Sequence, residues 1–123
     1  MAGIRVLLVD DNQALRENLQ ECLEAAGHHV ATASEGGAAL AEMERGQLPN
    51  VVVVDLMMPG MDGRELVAAI RRSARHRGLR LVLITGHDEA ERAGIDADAV
   101  LVKPFGVDEL LAAIGEDEGA PAR

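Results

Sequence analysis

Two hydrophobic periods alternate along the chain. Short runs rich in β-branched and aliphatic residues read as five strands: Ile4 to Val9, His28 to Thr32, Val51 to Val54, Leu81 to Thr85 and Ala99 to Val102. The third is the most telling. Four consecutive valines predict a strand buried on both faces, and Asp55 follows them directly before Met57-Met58-Pro59-Gly60 turns the chain. Between the strands the spacing becomes helical. Asn12 is suited to cap a helix that places Leu15, Leu19, Cys22, Leu23 and Ala26 on one face, and Gly27 stops it. Ser34 is the expected cap of a second helix running to about Glu44, with Leu40 and Met43 inward and Gly36-Gly37 weakening it.

Asp62 and Glu65 fit a capping box ahead of a third helix, with Leu66, Val67 and Ile70 inward. Its tail of Arg71, Arg72, Arg75, His76 and Arg77 reads as a solvated helix end that suits the negative pole of the dipole. Asp88 and Glu91 predict a short fourth helix ending near Gly94, and Val107 to Ile114 a fifth, with Leu110, Leu111 and Ile114 inward. Five strands alternating with five helices predict an α/β domain with a parallel sheet and right-handed crossovers. The domain spans 1–114, and 115–123 reads as a polar, fraying tail.

Composition narrows the function. The 123 residues include one Phe and no Tyr or Trp, so the core is aliphatic, and base or flavin stacking lacks its aromatic faces. The net charge of −9 disfavours direct nucleic-acid binding. A single cysteine, Cys22, excludes an internal disulfide framework and reads as a buried structural thiol. No apolar run is long enough to cross a bilayer, and Met1-Ala2-Gly3 leads straight into a strand without a signal region. A cytoplasmic setting and no membrane insertion are the expectation.

The candidate chemistry lies at the carboxyl ends of the strands: Asp10-Asp11, Asp55, Thr85 and Lys103. Parallel strands bring these ends to one edge, where open α/β sheets bind ligands. In a sheet ordered 2-1-3-4-5, strands one and three are neighbours, and Asp10, Asp11 and Asp55 converge. Carboxylates that close repel strongly, so one takes a proton or a cation neutralises them. A hard oxygen cluster in a hydrated crevice suits Mg²⁺. Mg²⁺, a lysine and a hydroxyl can receive three phosphoryl oxygens, and Asp55 is the natural nucleophile for an acyl phosphate. Taken singly, Asp10 and Asp11 could merely cap the first helix, and Thr85 could be an ordinary strand end.

Val9-Asp10-Asp11-Asn12, the run Val54 to Gly63, Ile84-Thr85-Gly86 and Val102-Lys103-Pro104-Phe105 together resemble the receiver domain of two-component response regulators, of the chemotaxis-regulator type. The resemblance covers about Ile4 to Ile114. It implies the flavodoxin-like doubly wound sheet, order 2-1-3-4-5. It also implies that Asp55 accepts a phosphoryl group from a histidine kinase or a histidine phosphotransfer protein. Asp11 and Asp55 would bind Mg²⁺ directly, with the Met57 carbonyl as a third ligand and Asp10 acting largely through water. Lys103 would hold a phosphoryl oxygen, its bond to Pro104 would be cis, and Thr85 would move to bond the phosphoryl group. Such a domain assists its own phosphorylation and dephosphorylation without being an enzyme in the turnover sense.

The chain departs from that family at Val100, where receivers usually carry an aromatic switch residue that Phe105 does not replace. The segment from Thr85 to Lys103 also looks a few residues short. His87 stands where family members border the phosphoryl group, whereas His28 and His29 read as edge-strand surface residues. Met57, Met58 and Met61 read as loop packing. A haloacid-dehalogenase-like phosphatase would need Asp-x-Asp after strand one, and a flavodoxin-like electron carrier a Thr/Ser/Gly phosphate loop; neither is present. The chain reads as a stand-alone regulator or as a receiver module of a larger hybrid kinase or regulator acting mainly by protein–protein interaction, with its output target open.

Overall fold

The computed structural model describes residues 3–46, 48–86 and 94–115. They form strands β1 (Arg5–Val9), β2 (His29–Ala33), β3 (Val51–Asp55), β4 (Arg80–Thr85) and β5 (Ala99–Val102). The helices among the described residues are α1 (Gln13–Ala25), α2 (Gly36–Arg45), α3 (Gly63–Arg72) and α4 (Val107–Ala113). The sheet is parallel throughout and ordered β2-β1-β3-β4-β5. Four helices lie among the described residues where five were expected along the chain; the remaining one, Asp88 to Gly94, falls almost wholly outside the described residues.

Alternation along the strands sends side chains to two separate cores. Val6, Leu8, Val51, Val53, Val82 and Ile84 meet Leu19 and Leu23 of α1 and Leu110 and Ala113 of α4. Leu7, Val9, Val52, Val54 and Leu81 meet Ala39 and Met43 of α2 and Leu66, Val67 and Ile70 of α3. Because helices cover both faces, every residue of β3 is buried, which accounts for its unbroken valine run. Burying each such side chain contributes about 1.5–3 kcal/mol. The aliphatic sheet thereby becomes a rigid base for whatever stands at its carboxyl edge.

The local signals held unevenly. Asn12 caps α1, its side chain accepting from the Leu15 N–H at 3.0 Å, and Asp62 and Glu65 form the capping box of α3. Glu35, not Ser34, caps α2: its carboxylate reaches the Gly37 N–H at 3.0 Å. Of the expected inward face of α1, Leu19 and Leu23 are buried, Cys22 is only half-buried, and Ala26, one residue past the helix, is exposed. His28 is buried and not a surface residue, since its Nδ1 accepts the Ile4 N–H at 3.0 Å. Gly115, assigned to the frayed tail, is buried; residues 116–123 lie outside the described residues.

The basic end of α3 is likewise not simply solvated. Arg71 donates to the carbonyls of Asp96, Arg77 and Leu79 and to the Asp98 carboxylate, at 2.7–3.0 Å. Asp98 also accepts the Leu81 N–H at 2.8 Å. Arg71 thus ties the end of α3 to the turn before β4 and to the start of β5. His76 is buried as well, with its Nε2 at 3.9 Å from Glu44.

Candidate functional site

The switch in strand order places β1 and β3 side by side, so both carry an acid to the same edge. Asp10 continues the path of β1, its N–H donating to the Ala33 carbonyl at 3.1 Å. It is fully buried, and its Oδ1 accepts the Asn12 N–H at 2.9 Å. Asp11 is exposed. Asp55, buried at the end of β3, accepts the Met57 N–H on Oδ1 at 3.2 Å and faces the Lys103 Nζ with Oδ2 at 3.6 Å. One carboxylate oxygen from each of Asp10, Asp11 and Asp55 lies within 4.8 Å of the others.

The loop beneath Asp55 is held by main-chain bonds: Leu56 N–H to the Ile84 carbonyl and Gly63 N–H to the Leu56 carbonyl, both 2.9 Å. At Gly63 a Cβ would stand 2.6 Å from the Asp55 carbonyl oxygen and from the Leu56 Cα. Both are backbone atoms, so only glycine lets α3 begin this close to the acid. Across the crevice Thr85 is buried, and its Oγ1 has no hydrogen-bond partner among the described residues. The Lys103 N–H bonds the Thr85 carbonyl at 2.9 Å, setting the lysine at the same edge, and the Lys103–Pro104 peptide is cis.

Electrostatics shows what the acids lack. Two like charges about 5 Å apart repel by about 3 kcal/mol at a surface-like dielectric. Burial, with the charge of Asp55 behind it, pushes the Asp10 carboxyl up to about 6, against the opposing pull of the Asn12 N–H and Lys103. Asp10 Oδ2 is buried without a hydrogen-bond partner among the described residues. A buried orphan oxygen, a disfavoured charge and an all-oxygen donor set fit a hard divalent cation. Met57 reaches the site through its main chain; its side chain is 64% exposed, whereas Met58 is buried in the core shared with α2 and α3.

The structure thus brings Asp10, Asp11, Asp55 and Lys103 together, with Thr85 at the neighbouring strand end. His87 lies outside the described residues, and Val100 sits on edge strand β5, paired with Leu83 and partly exposed. Sequence reasoning missed Arg16, whose Nη1 donates to the Asp10 carbonyl at 2.7 Å. Only its position one turn past the Asn12 cap could have signalled it.

A doubly wound sheet with an acid cluster at its switch point and a lysine facing the central carboxylate defines a class of signalling modules, the receiver domains. The family model for the response regulator receiver domain matches residues 6–115, and the chain belongs to that family, part of two-component signal transduction. It is 41% identical over 114 residues to the response regulator MprA of Mycobacterium ulcerans, covering 89% of this chain and 48% of that protein. MprA of Mycobacterium bovis is 40% identical over the same share. The chain therefore spans about half the length of these curated relatives.

Among solved structures, a putative response regulator from Chloroflexus aurantiacus superimposes with a TM-score of 0.86 at 28% identity, covering 93% of this chain and 96% of that one. The chemotaxis protein CheY4 of Vibrio cholerae gives 0.82 at 30% identity, covering 94% and 98%. No helix among the described residues is long and apolar enough to cross a membrane.

Proposed function

We propose that Asp55 accepts a phosphoryl group from the phosphohistidine of a histidine kinase or a histidine phosphotransfer protein, in a Mg²⁺-dependent step in the cytoplasm. The carrying observation is the position of Asp55: buried, 3.6 Å from the Lys103 ammonium, and within 4.8 Å of both acids of the β1 end. A carboxylate oxygen of Asp55 attacks phosphorus, the bond from phosphorus to the donor imidazole nitrogen breaks, and the imidazole leaves with the electron pair. Asp55 becomes an acyl phosphate.

Lys103 neutralises one phosphoryl oxygen, and the Thr85 hydroxyl donates to another, so the Oγ1 that lacks a partner among the described residues gains a bond in the phosphorylated state. Asp11, Asp55 and the Met57 carbonyl would hold Mg²⁺, with Asp10 acting through water, and the ion would supply positive charge to offset that of the transferring group. Water later hydrolyses the acyl phosphate and restores the carboxylate. The chain carries the phosphoryl group on its own side chain and is a signalling domain, not an enzyme acting on a separate substrate. Incubation with acetyl phosphate and Mg²⁺ should add one phosphoryl group to the chain, and Asp55→Asn should abolish it. Full labelling of the variant would overturn the assignment.

A further inference from the structure

Arg16 is half-buried on the first turns of α1, and its guanidinium holds the carbonyl of Asp10 at 2.7 Å. That carbonyl belongs to the peptide linking Asp10 to Asp11, the two acids that β1 brings to the site. The helix ladder of α1 begins further along, with the Arg16 N–H on the Asn12 carbonyl at 2.9 Å. A peptide unit is planar, so a bond at its oxygen fixes the plane and the directions in which both flanking Cα atoms present their side chains. The N–H of Asp10 and its Oδ1 are already held by Ala33 and Asn12. The Arg16 contact adds the remaining restraint, on the side of the exposed Asp11.

The chemistry of this contact is counterintuitive. A guanidinium beside a cation site repels the cation, so a residue kept there for its charge would weaken binding. One kept for its planar, directional donors would strengthen it by preorganising the ligands. We propose that Arg16 is a positioning residue, which locks the Asp10–Asp11 peptide so that both carboxylates meet a divalent cation together. This rests on the reading of the acid cluster as a cation site. The two roles of Arg16 predict opposite signs, which makes them separable.

The test is a Mn²⁺ titration of the full chain, followed by the electron paramagnetic resonance signal of the free ion, for the wild type, Arg16→Met and Arg16→Lys. Each is measured well below its own melting temperature in EDTA. Arg16→Met should weaken Mn²⁺ binding about tenfold, the usual scale for removing a group that orients a ligand. Arg16→Lys keeps a cationic donor without the planar fork and should recover part of that loss. Binding by Arg16→Met that is unchanged or tighter than wild type would overturn the proposal. Should Arg16→Met not fold, unchanged or tighter binding by Arg16→Lys would overturn it equally. A wild-type chain that binds no Mn²⁺ would instead remove the cation site itself, and the role of Arg16 with it.

Discussion

Asp10→Asn is expected to stabilise the metal-free protein. The Asp10 carboxyl is raised from 3.8 to about 6, chiefly by burial and then by Asp55. A shift of that size corresponds to about 3 kcal/mol of penalty on the charged form at neutral pH. Asparagine keeps an oxygen for the Asn12 N–H and turns an amide donor toward the Asp55 side, where Oδ2 now stands without a hydrogen-bond partner among the described residues. Its own desolvation takes back part of the gain, leaving about 1–2 kcal/mol, or roughly 4–8 °C in melting temperature for a domain of this size.

The sign follows from linkage. An acid whose folded pKa is raised loses stability as pH rises from its unfolded value through the folded one, so the penalty is complete above about pH 6 and absent below about pH 4. Thermal unfolding in EDTA should therefore separate the two proteins at pH 7 and bring them together near pH 4. Saturating Mg²⁺ should narrow the gap at pH 7, because it stabilises the wild type more. An Asp10→Asn protein no more stable than wild type in EDTA at pH 7 would refute the reasoning.

Gly63→Ala should destabilise by about 2 kcal/mol or more, since its Cβ would meet the Asp55 and Leu56 main chain at 2.6 Å; urea unfolding measures the loss, and a neutral variant would contradict the close approach. Asp98 is held below its ordinary carboxylate range: burial pushes it up, but the Leu81 N–H and the Arg71 guanidinium outweigh it. Its stabilising contribution is present at neutral pH and disappears as the medium becomes more acidic than its depressed folded pKa. Stability curves of wild type and Asp98→Asn should thus differ at pH 7 and converge in strong acid, and a gap that stays constant into acid would count against the Arg71–Asp98 tie.

Much of the fold was legible because the sheet is covered on both faces. That burial demands unbroken apolar runs in the central strands, and the runs in β1, β3 and β4 read directly as strands. The strand order came from the resemblance, since no local pattern encodes which strands are neighbours. Errors fell where a side chain acts over a long sequence separation. His28 looked solvated because nothing nearby shows that the Ile4 N–H, 24 residues away, would bond its ring. Arg71 looked like a dipole partner because the Asp98 carboxylate is 27 residues on. The Ser34 error was instead local: its neighbour Glu35 takes the cap, its carboxylate accepting the N–H of Gly37 two residues on.

The candidate site was legible as residue types at strand ends, which is where an α/β sheet gathers its chemistry. Hidden from the sequence were the distances: the Asp10 and Thr85 oxygens without hydrogen-bond partners among the described residues, and the close approach at Gly63. Arg16 escaped because it acts on a main-chain carbonyl, and a carbonyl leaves no signature in the pattern of side chains.

The central claim is that Asp55 carries the phosphoryl group, and borohydride reduction tests it most directly, because it converts an aspartyl phosphate into homoserine. After treatment with acetyl phosphate, with and without Mg²⁺, peptide mass spectrometry should find homoserine at position 55 only when Mg²⁺ is present. Homoserine at Asp10 or Asp11 instead, or none at position 55, would contradict it.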